Sequence, residues 1–330
     1  MGRGIWPRIA ATIAAVLLLL VAAGYALGGY LAFQQLSVVH PACGSRPFGQ
    51  DTPATFTVPD GESREPVKRA GYRFSEAEEV AFPARSDGVT IRAWFAPPRS
   101  TGGPVVVLVH GYDSCRRDWN VLMPAGMLHG AGFGVLMLDL RNHGDSDADD
   151  GRWAGGSKEY RDVLGAWDWL RGRGYDARAI GLFGVSMGAA TATIAAGEEP
   201  AVAATWADSS YDRYDVAAKE YAQVKGYPDW VAGAAVPIGR ALGEPELAVR
   251  DPGAEVHRLA GRPFYVVHGL ADTLVMPHNA IELATDAGEG GTPVDPWLVA
   301  GAAHTHAMLV EPRTYEDRLV AFFTDAIGAP

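Results

Sequence analysis

Apolar residues fall along this chain in three textures. The first is unbroken. Residues 9–33 form a run of 25 without a charged side chain, densest at Val16-Leu17-Leu18-Leu19-Leu20-Val21, and no Asp, Glu, Lys or Arg occurs between Arg8 and Arg46. The second texture, residues 41–75, is rich in Pro, Gly, Thr and charge and shows no period, which predicts a tether. The third is a series of short apolar runs at 89–95, 105–109, 133–140, 180–183, 202–206, 264–267 and 297–299. Most are continuous rather than alternating, the mark of strands covered on both faces in a parallel sheet. Helical spacings lie between them. Tyr160, Val163, Leu164, Trp167 and Leu170 share one face after Ser157, predicting a helix over 157–170 capped by that serine. Residues 187–196 are small and apolar, as in a buried helix, and Tyr315, Leu319, Val320 and Phe323 mark a final one. This alternation over 76–330 predicts an α/β fold with a doubly wound, mostly parallel sheet and right-handed crossovers. From 211 to 259 the rhythm stops, leaving helical fragments split by Pro228, Pro237, Pro245 and Pro252. That stretch predicts a helical lid inserted over the carboxyl edge of the sheet. Its Tyr214, Tyr221, Tyr227 and Trp230 predict a substrate cleft beneath it.

About 20 apolar residues carry a helix across the hydrocarbon core of a bilayer, whereas a signal-peptide core is roughly 7–15. The first 40 residues therefore predict an uncleaved transmembrane signal anchor, in contact with lipid through residues 9–33. The competing expectation is a cleaved signal peptide and a secreted product, since Ala22-Ala23-Gly24 and Ala26-Leu27-Gly28 offer small-x-small sites. Arg3 and Arg8 precede the span, so the positive-inside rule puts the N-terminus in the cytoplasm and the bulk of the chain outside a single-pass cell membrane protein. The 330 residues thus divide into an anchor, a tether and one domain, rather than the two domains their length suggests. Residues 41–330 keep all 39 acidic and 26 of the 28 basic side chains, a formal charge of −13 against −11 for the whole. Such a surface repels phosphate backbones and argues against nucleic acid as a partner.

The candidate chemistry starts at Gly184-Val185-Ser186-Met187-Gly188, a G-x-S-x-G placed after a predicted strand and before a predicted helix. That context makes a nucleophile elbow: Gly184 and Gly188 let backbone pass close by, and the turn lifts Ser186 Oγ out of the sheet. His110-Gly111-Tyr112 follows the 105–109 strand and supplies an oxyanion loop, with the N–H groups of Tyr112 and Met187 as donors. The base and its orienting acid are expected later in the chain. Asp272 follows the 264–267 strand, with Asp208, Asp212 and Asp215 as rivals, and His304 follows the last strand, with His306 as its rival. The order His110-Gly111, Gly184 to Gly188, Asp272, His304 resembles the α/β-hydrolase superfamily over about residues 76–330. The segment Asp139-Leu140-Arg141-Asn142-His143-Gly144-Asp145-Ser146 is similar to the D-x-R-G-H-G-x-S of many members, with Asn142 in place of a Gly. The likeness is greatest to serine aminopeptidase-like and prolyl-oligopeptidase-like hydrolases and small esterases. It implies a serine hydrolase acting on a small or medium acyl ester. A serine peptidase acting on short peptides, an acyltransferase, and a binding module on a hydrolase scaffold are the alternatives.

The remaining candidates carry less. His143 and His268 read as structural, and His129, His257 and His278 as solvated. Asp145, Asp147, Asp149 and Asp150 have the composition of a calcium loop but fail its spacing, with Gly156 where a Glu belongs. Neither a metal nor a cofactor is implied. Cys43 and Cys115 are too few for a disulfide scaffold, but in an oxidising compartment they permit one bridge from the tether to the oxyanion loop.

Overall fold

Four runs of five or six residues with every side chain buried form the centre of an eight-stranded sheet. The computed structural model describes residues 5–39, 43, 49–59, 63–66 and 69–330. In chain order the elements are α1 (Ile5–Ser37), β1 (Glu78–Pro83), β2 (Thr90–Ala96), β3 (Val105–Val109), α2 (Trp119–Ala131), β4 (Gly134–Leu138), α3 (Tyr160–Gly172), β5 (Ile180–Val185), α4 (Met187–Glu198), β6 (Ala204–Asp208), α5 (Tyr214–Val224), α6 (Asp229–Leu242), α7 (Pro252–Val256), β7 (Phe264–Gly269), α8 (His278–Glu289), β8 (Trp297–Val299), α9 (Ala307–Val310) and α10 (Pro312–Ile327). The strand order is β1-β2-β4-β3-β5-β6-β7-β8. β3 to β8 pair in parallel, and β1 and β2 add antiparallel at one edge. Apolar cores cover both faces, one with α3, α4 and α8, the other with α2 and α10. This is the doubly wound arrangement expected, and it gathers the carboxyl ends of β3, β5, β6, β7 and β8 along one edge.

The structure departs from the sequence reading at several points. β1 is absent from that reading because only half-buried Val80 and buried Phe82 break its run of exposed positions, and its register is supplied by β2. Ser157 does not cap α3: it is buried, and its hydroxyl donates to Arg250 O and accepts from Arg250 N instead, so the helix starts at Tyr160. Pro237 does not split the 211–259 stretch but lies inside α6, whereas Pro228 and Pro252 do mark helix starts. The described part of the 41–75 segment is not a free tether. Phe56, Val58 and Tyr72 are buried against the α2 face of the sheet, which an aperiodic segment gives no sign of in sequence. Arg3, Arg46 and most of residues 40–48 lie outside the described residues.

α1 is long and apolar enough to cross a membrane. Residues 6–25 are exposed on every side, and burial begins near Gly29. From there α1 packs parallel to α6, with Tyr25 and Gly28 against Trp230, Gly29 against Ala234 and Phe33 against Gly239 and Gly243. Small residues on both helices permit that approach, since a Cβ on Gly29 would lie 2.6 Å from Ala234 Cβ.

Candidate active site

β5 ends at Val185, and Ser186 turns the chain into α4 with φ 55° and ψ −123°. A non-glycine residue held there is strained, and such strain persists only where the surroundings enforce it. Here the surroundings are tight. A Cβ on Gly184 would sit 2.2 Å from Gly188 O, and one on Gly188 would sit 2.2 Å from Val109 O. Ser186 N donates to Asp208 O at 2.8 Å, pinning the turn to the end of β6. Oγ is thus lifted to the carboxyl edge, at the N-terminus of α4, where partial positive charge favours an anion.

His304, from the turn after β8, brings Nε2 to 2.8 Å from Ser186 Oγ. Its Nδ1 lies 2.7 Å from Asp272 Oδ2. The other carboxylate oxygen of Asp272 accepts the N–H groups of Leu274 and Val275. Burial alone raises the Asp272 pKa, but hydrogen bonds from His268 and His304 and their charge outweigh it and hold the carboxyl below its usual range. By sequence His268 reads only as structural. The structure puts its Nε2 3.1 Å from Asp272 Oδ2 and 2.9 Å from Val275 O, so it shares the carboxylate with His304. The signal lies in the sequence, because His268 sits near the end of β7 four residues before Asp272, but the i, i+4 contact needs the intervening turn.

The rival residues go elsewhere. His306 opens α9 and packs its ring against Trp119. Asp208 accepts from Tyr315 and Ser209 hydroxyls, at 2.7 and 2.8 Å. Ser209 Oγ in turn accepts Thr305 N–H, so this buried network holds the residue after His304. Asp212 lies beside Asn279, and burial, with Asp286, Glu282 and Asp251 nearby, raises its pKa to about 7. Asp215 pairs with Arg213 on the surface.

Gly111 backs directly on Ser186, 3.3 Å from Cβ to Cβ were a side chain added. Tyr112 and Met187 flank Ser186 in the wall of a cavity of about 320 Å³, with Tyr211, Tyr214, Tyr221, Leu274 and Val275. His110 is buried and braces the loop: Nε2 accepts Leu140 N–H at 3.0 Å and Nδ1 donates to Gly111 O. Burial lowers its pKa to about 4.

Asn142 has φ 64°, the left-handed region that Asn tolerates better than most residues, which explains how it stands in a glycine's place. Its side chain accepts Asp149 and Gly151 N–H groups and donates to Arg152 O and Asp150. The neighbouring carboxylates of Asp145, Asp149 and Asp150 pair with Arg116, Arg117, Arg141 and Lys158. Away from Ser186, His257, Asp286 and Glu289 bring ligand atoms within 4.8 Å of one another at the surface, a grouping the sequence does not disclose. Cys43 and Cys115 face each other with Cα atoms 6.0 Å apart, within disulfide range.

An imidazole bonded to a hydroxyl on one side and to a buried carboxylate on the other can take the hydroxyl proton and hold the resulting charge. Residues 104–250 match the model of the alpha/beta hydrolase fold family. An uncharacterised protein of Mycobacterium tuberculosis is 27% identical over 267 residues, 79% of this chain and 84% of that protein. A Pyrococcus furiosus esterase superposes with a TM-score of 0.63 at 23% identity, covering 77% of this chain and 92% of its own. The acylaminoacyl peptidase of Pyrococcus horikoshii superposes at 0.58 with 17% identity, over 76% of this chain and 42% of its own. The chain therefore has the α/β-hydrolase fold.

Proposed function

We propose that this chain is a serine hydrolase that cleaves a carboxylic ester through Ser186, His304 and Asp272. The observation that carries the proposal is the continuous hydrogen-bonded line from Asp272 through His304 to Ser186 on a strained strand-to-helix turn. His304 Nε2 takes the Ser186 proton as Oγ attacks the ester carbonyl. The oxyanion forms against the N–H groups of Tyr112 and Met187, and Asp272 stabilises the imidazolium. His304 then protonates the leaving alkoxide. Water, deprotonated by His304, attacks the acyl-enzyme and releases the acid and free Ser186.

The same acyl-enzyme serves an amide, and the likeness to an acylaminoacyl peptidase keeps a peptidase as the second reading. We further propose that α1 anchors the protein in the membrane uncleaved, with the N-terminus cytoplasmic and the domain outside. Support comes from α1 running unbroken through both small-x-small sites and packing on α6 from the second of them onward. Outside the cytoplasm, Cys43 and Cys115 form a disulfide.

The experiment is a panel of ester, thioester and peptide substrates with wild-type and Ser186→Ala protein, alongside fluorophosphonate labelling. Wild type takes the label and turns over esters, and the variant does neither. Near-normal esterase activity in Ser186→Ala, or wild type that never labels, would sink the proposal.

A further inference from the structure

The far end of α1 is a wall of the Ser186 cavity. Gln35 and Leu36 line it together with Ser186 and Tyr112. The same two residues, with Tyr221, line an adjoining cavity of about 570 Å³ that runs along α1 past Ala32 and Gln34 to Tyr227 and Lys225. This end of the helix is fixed firmly. Trp153 Nε1 donates to Leu36 O and Tyr112 OH donates to Val38 O, each at 2.5 Å. Arg152 donates to Ser37 Oγ and Gln34 Oε1 at 3.0 and 2.9 Å, and Val39 N donates to Gly151 O. A flexible tether needs none of these contacts.

The depth of the helix in a bilayer follows from its length. At 1.5 Å per residue, the 20 residues from Ile9 to Gly28 cover about 30 Å, the thickness of the hydrocarbon core. That places the outer membrane surface where α1 first meets the lid. Trp230 lies there, half exposed beside Tyr25, with Tyr227 and Val224 also exposed on the preceding turn and helix. Aromatic residues favour this depth, apolar body toward lipid and polar atom toward water. The groove from Ser186 therefore opens beside α1 within about three helical turns of the surface, flanked by apolar and aromatic side chains.

We propose that the substrate is an acyl ester of a membrane lipid, taken from the outer leaflet along the groove between α1 and α5, with α1 forming part of the binding site. This rests on the serine-hydrolase reading and extends it from small or medium acyl groups to a chain that starts in the bilayer. Gln35 and Leu36 contact the acyl chain as it passes to Ser186.

The test uses the full chain in nanodiscs of phosphatidylethanolamine and phosphatidylglycerol. They contain a diacylglycerol with one long fluorogenic acyl chain, and p-nitrophenyl acetate is supplied in solution to the same nanodiscs. Wild type is expected to hydrolyse the bilayer ester, and Leu36→Trp to lower the ratio of bilayer-ester to acetate kcat/KM at least tenfold. Fluorophosphonate labelling reports whether each variant keeps a reactive, folded site. If Leu36→Trp fails to label, Leu36→Ala decides: a ratio changed threefold or more supports the proposal, and an unchanged ratio overturns it. Turnover of acetate without the bilayer ester overturns it as well, and leaves the serine-hydrolase reading standing. Absence of both activities together with absent labelling in wild type overturns both.

Discussion

Ser186 illustrates how far single residues can be read. Its motif and its neighbours in the chain foretell the turn, and the φ of 55° with backbone at 2.2 Å from each glycine's missing Cβ shows why only glycine fits at 184 and 188. Ser186→Ala is expected to lower kcat by a factor on the order of 10⁶, measured on any ester the wild type accepts. His268 is legible as a structural histidine but not as a partner of Asp272, because that contact depends on how residues 269–272 fold back. A hydrogen bond to a charged group contributes about 1.5–3 kcal/mol. His268→Phe should therefore reduce kcat roughly 10- to 100-fold while fluorophosphonate still labels Ser186 at a lower rate. Unchanged kcat would show that His268 only fills space. Asn142 reads in sequence as a small departure from a glycine, yet its side chain holds the 147–152 loop through four hydrogen bonds. Asn142→Ala should lower unfolding free energy by about 2–4 kcal/mol in denaturant titrations, from those bonds and the left-handed backbone together. Asn142→Gly would keep the backbone relaxed and lose only the bonds.

Elements are legible where burial is continuous and obscure where tertiary contacts decide. β3 falls where its apolar run predicts, because nothing but a covered sheet explains five consecutive aliphatic residues. β1 and α2 lack such a signature: the first is an exposed edge, and the second is apolar nearly all round with Pro124 inside it. α1 shows the strongest contrast. Its apolar run predicts a span, but a run without polar positions carries no period, so nothing in it announces that the last turns pack on α6. Gly239→Leu should expose that packing, since a Cβ there meets Phe33 at 2.4 Å. Overpacking of this kind costs about 1–3 kcal/mol, read as a lower melting temperature of the full-length protein in detergent. The proposed bridge between Cys43 and Cys115 closes a loop with a sequence separation of 72. Its loss in Cys115→Ser should cost about 4 kcal/mol on the chain-entropy model. Alkylation without reductant should leave the wild-type mass unchanged, and modification of both cysteines would refute the bridge.

At the scale of the whole molecule, acid sensitivity has an identifiable source in His110. Its folded pKa near 4 lies below the ordinary 6.5, so between those values the unfolded chain binds a proton that the folded one refuses. Stability from this group is complete above about pH 6.5 and falls as pH drops toward 4, by about 3 kcal/mol in all. Asp212, raised to about 7, has the opposite slope, losing stability as pH rises from 4 to 7. The check is therefore the difference between wild type and His110→Gln in denaturant unfolding at pH 7 and pH 4.5, where the variant should lose less on acidification. An equal loss in both would refute it. The global plan is the most legible level of all, because alternating strands and helices leave few topologies open. What the two cysteines permit in sequence without fixing it is closure. The proposed Cys43–Cys115 link joins the segment leaving α1 to the loop of Tyr112, bypassing residues 44–114. A protease that nicks the chain anywhere in that interval would not shed the domain. It would stay with the membrane fraction through washing and salt, and the covalent link to its helix would end only on treatment with a thiol.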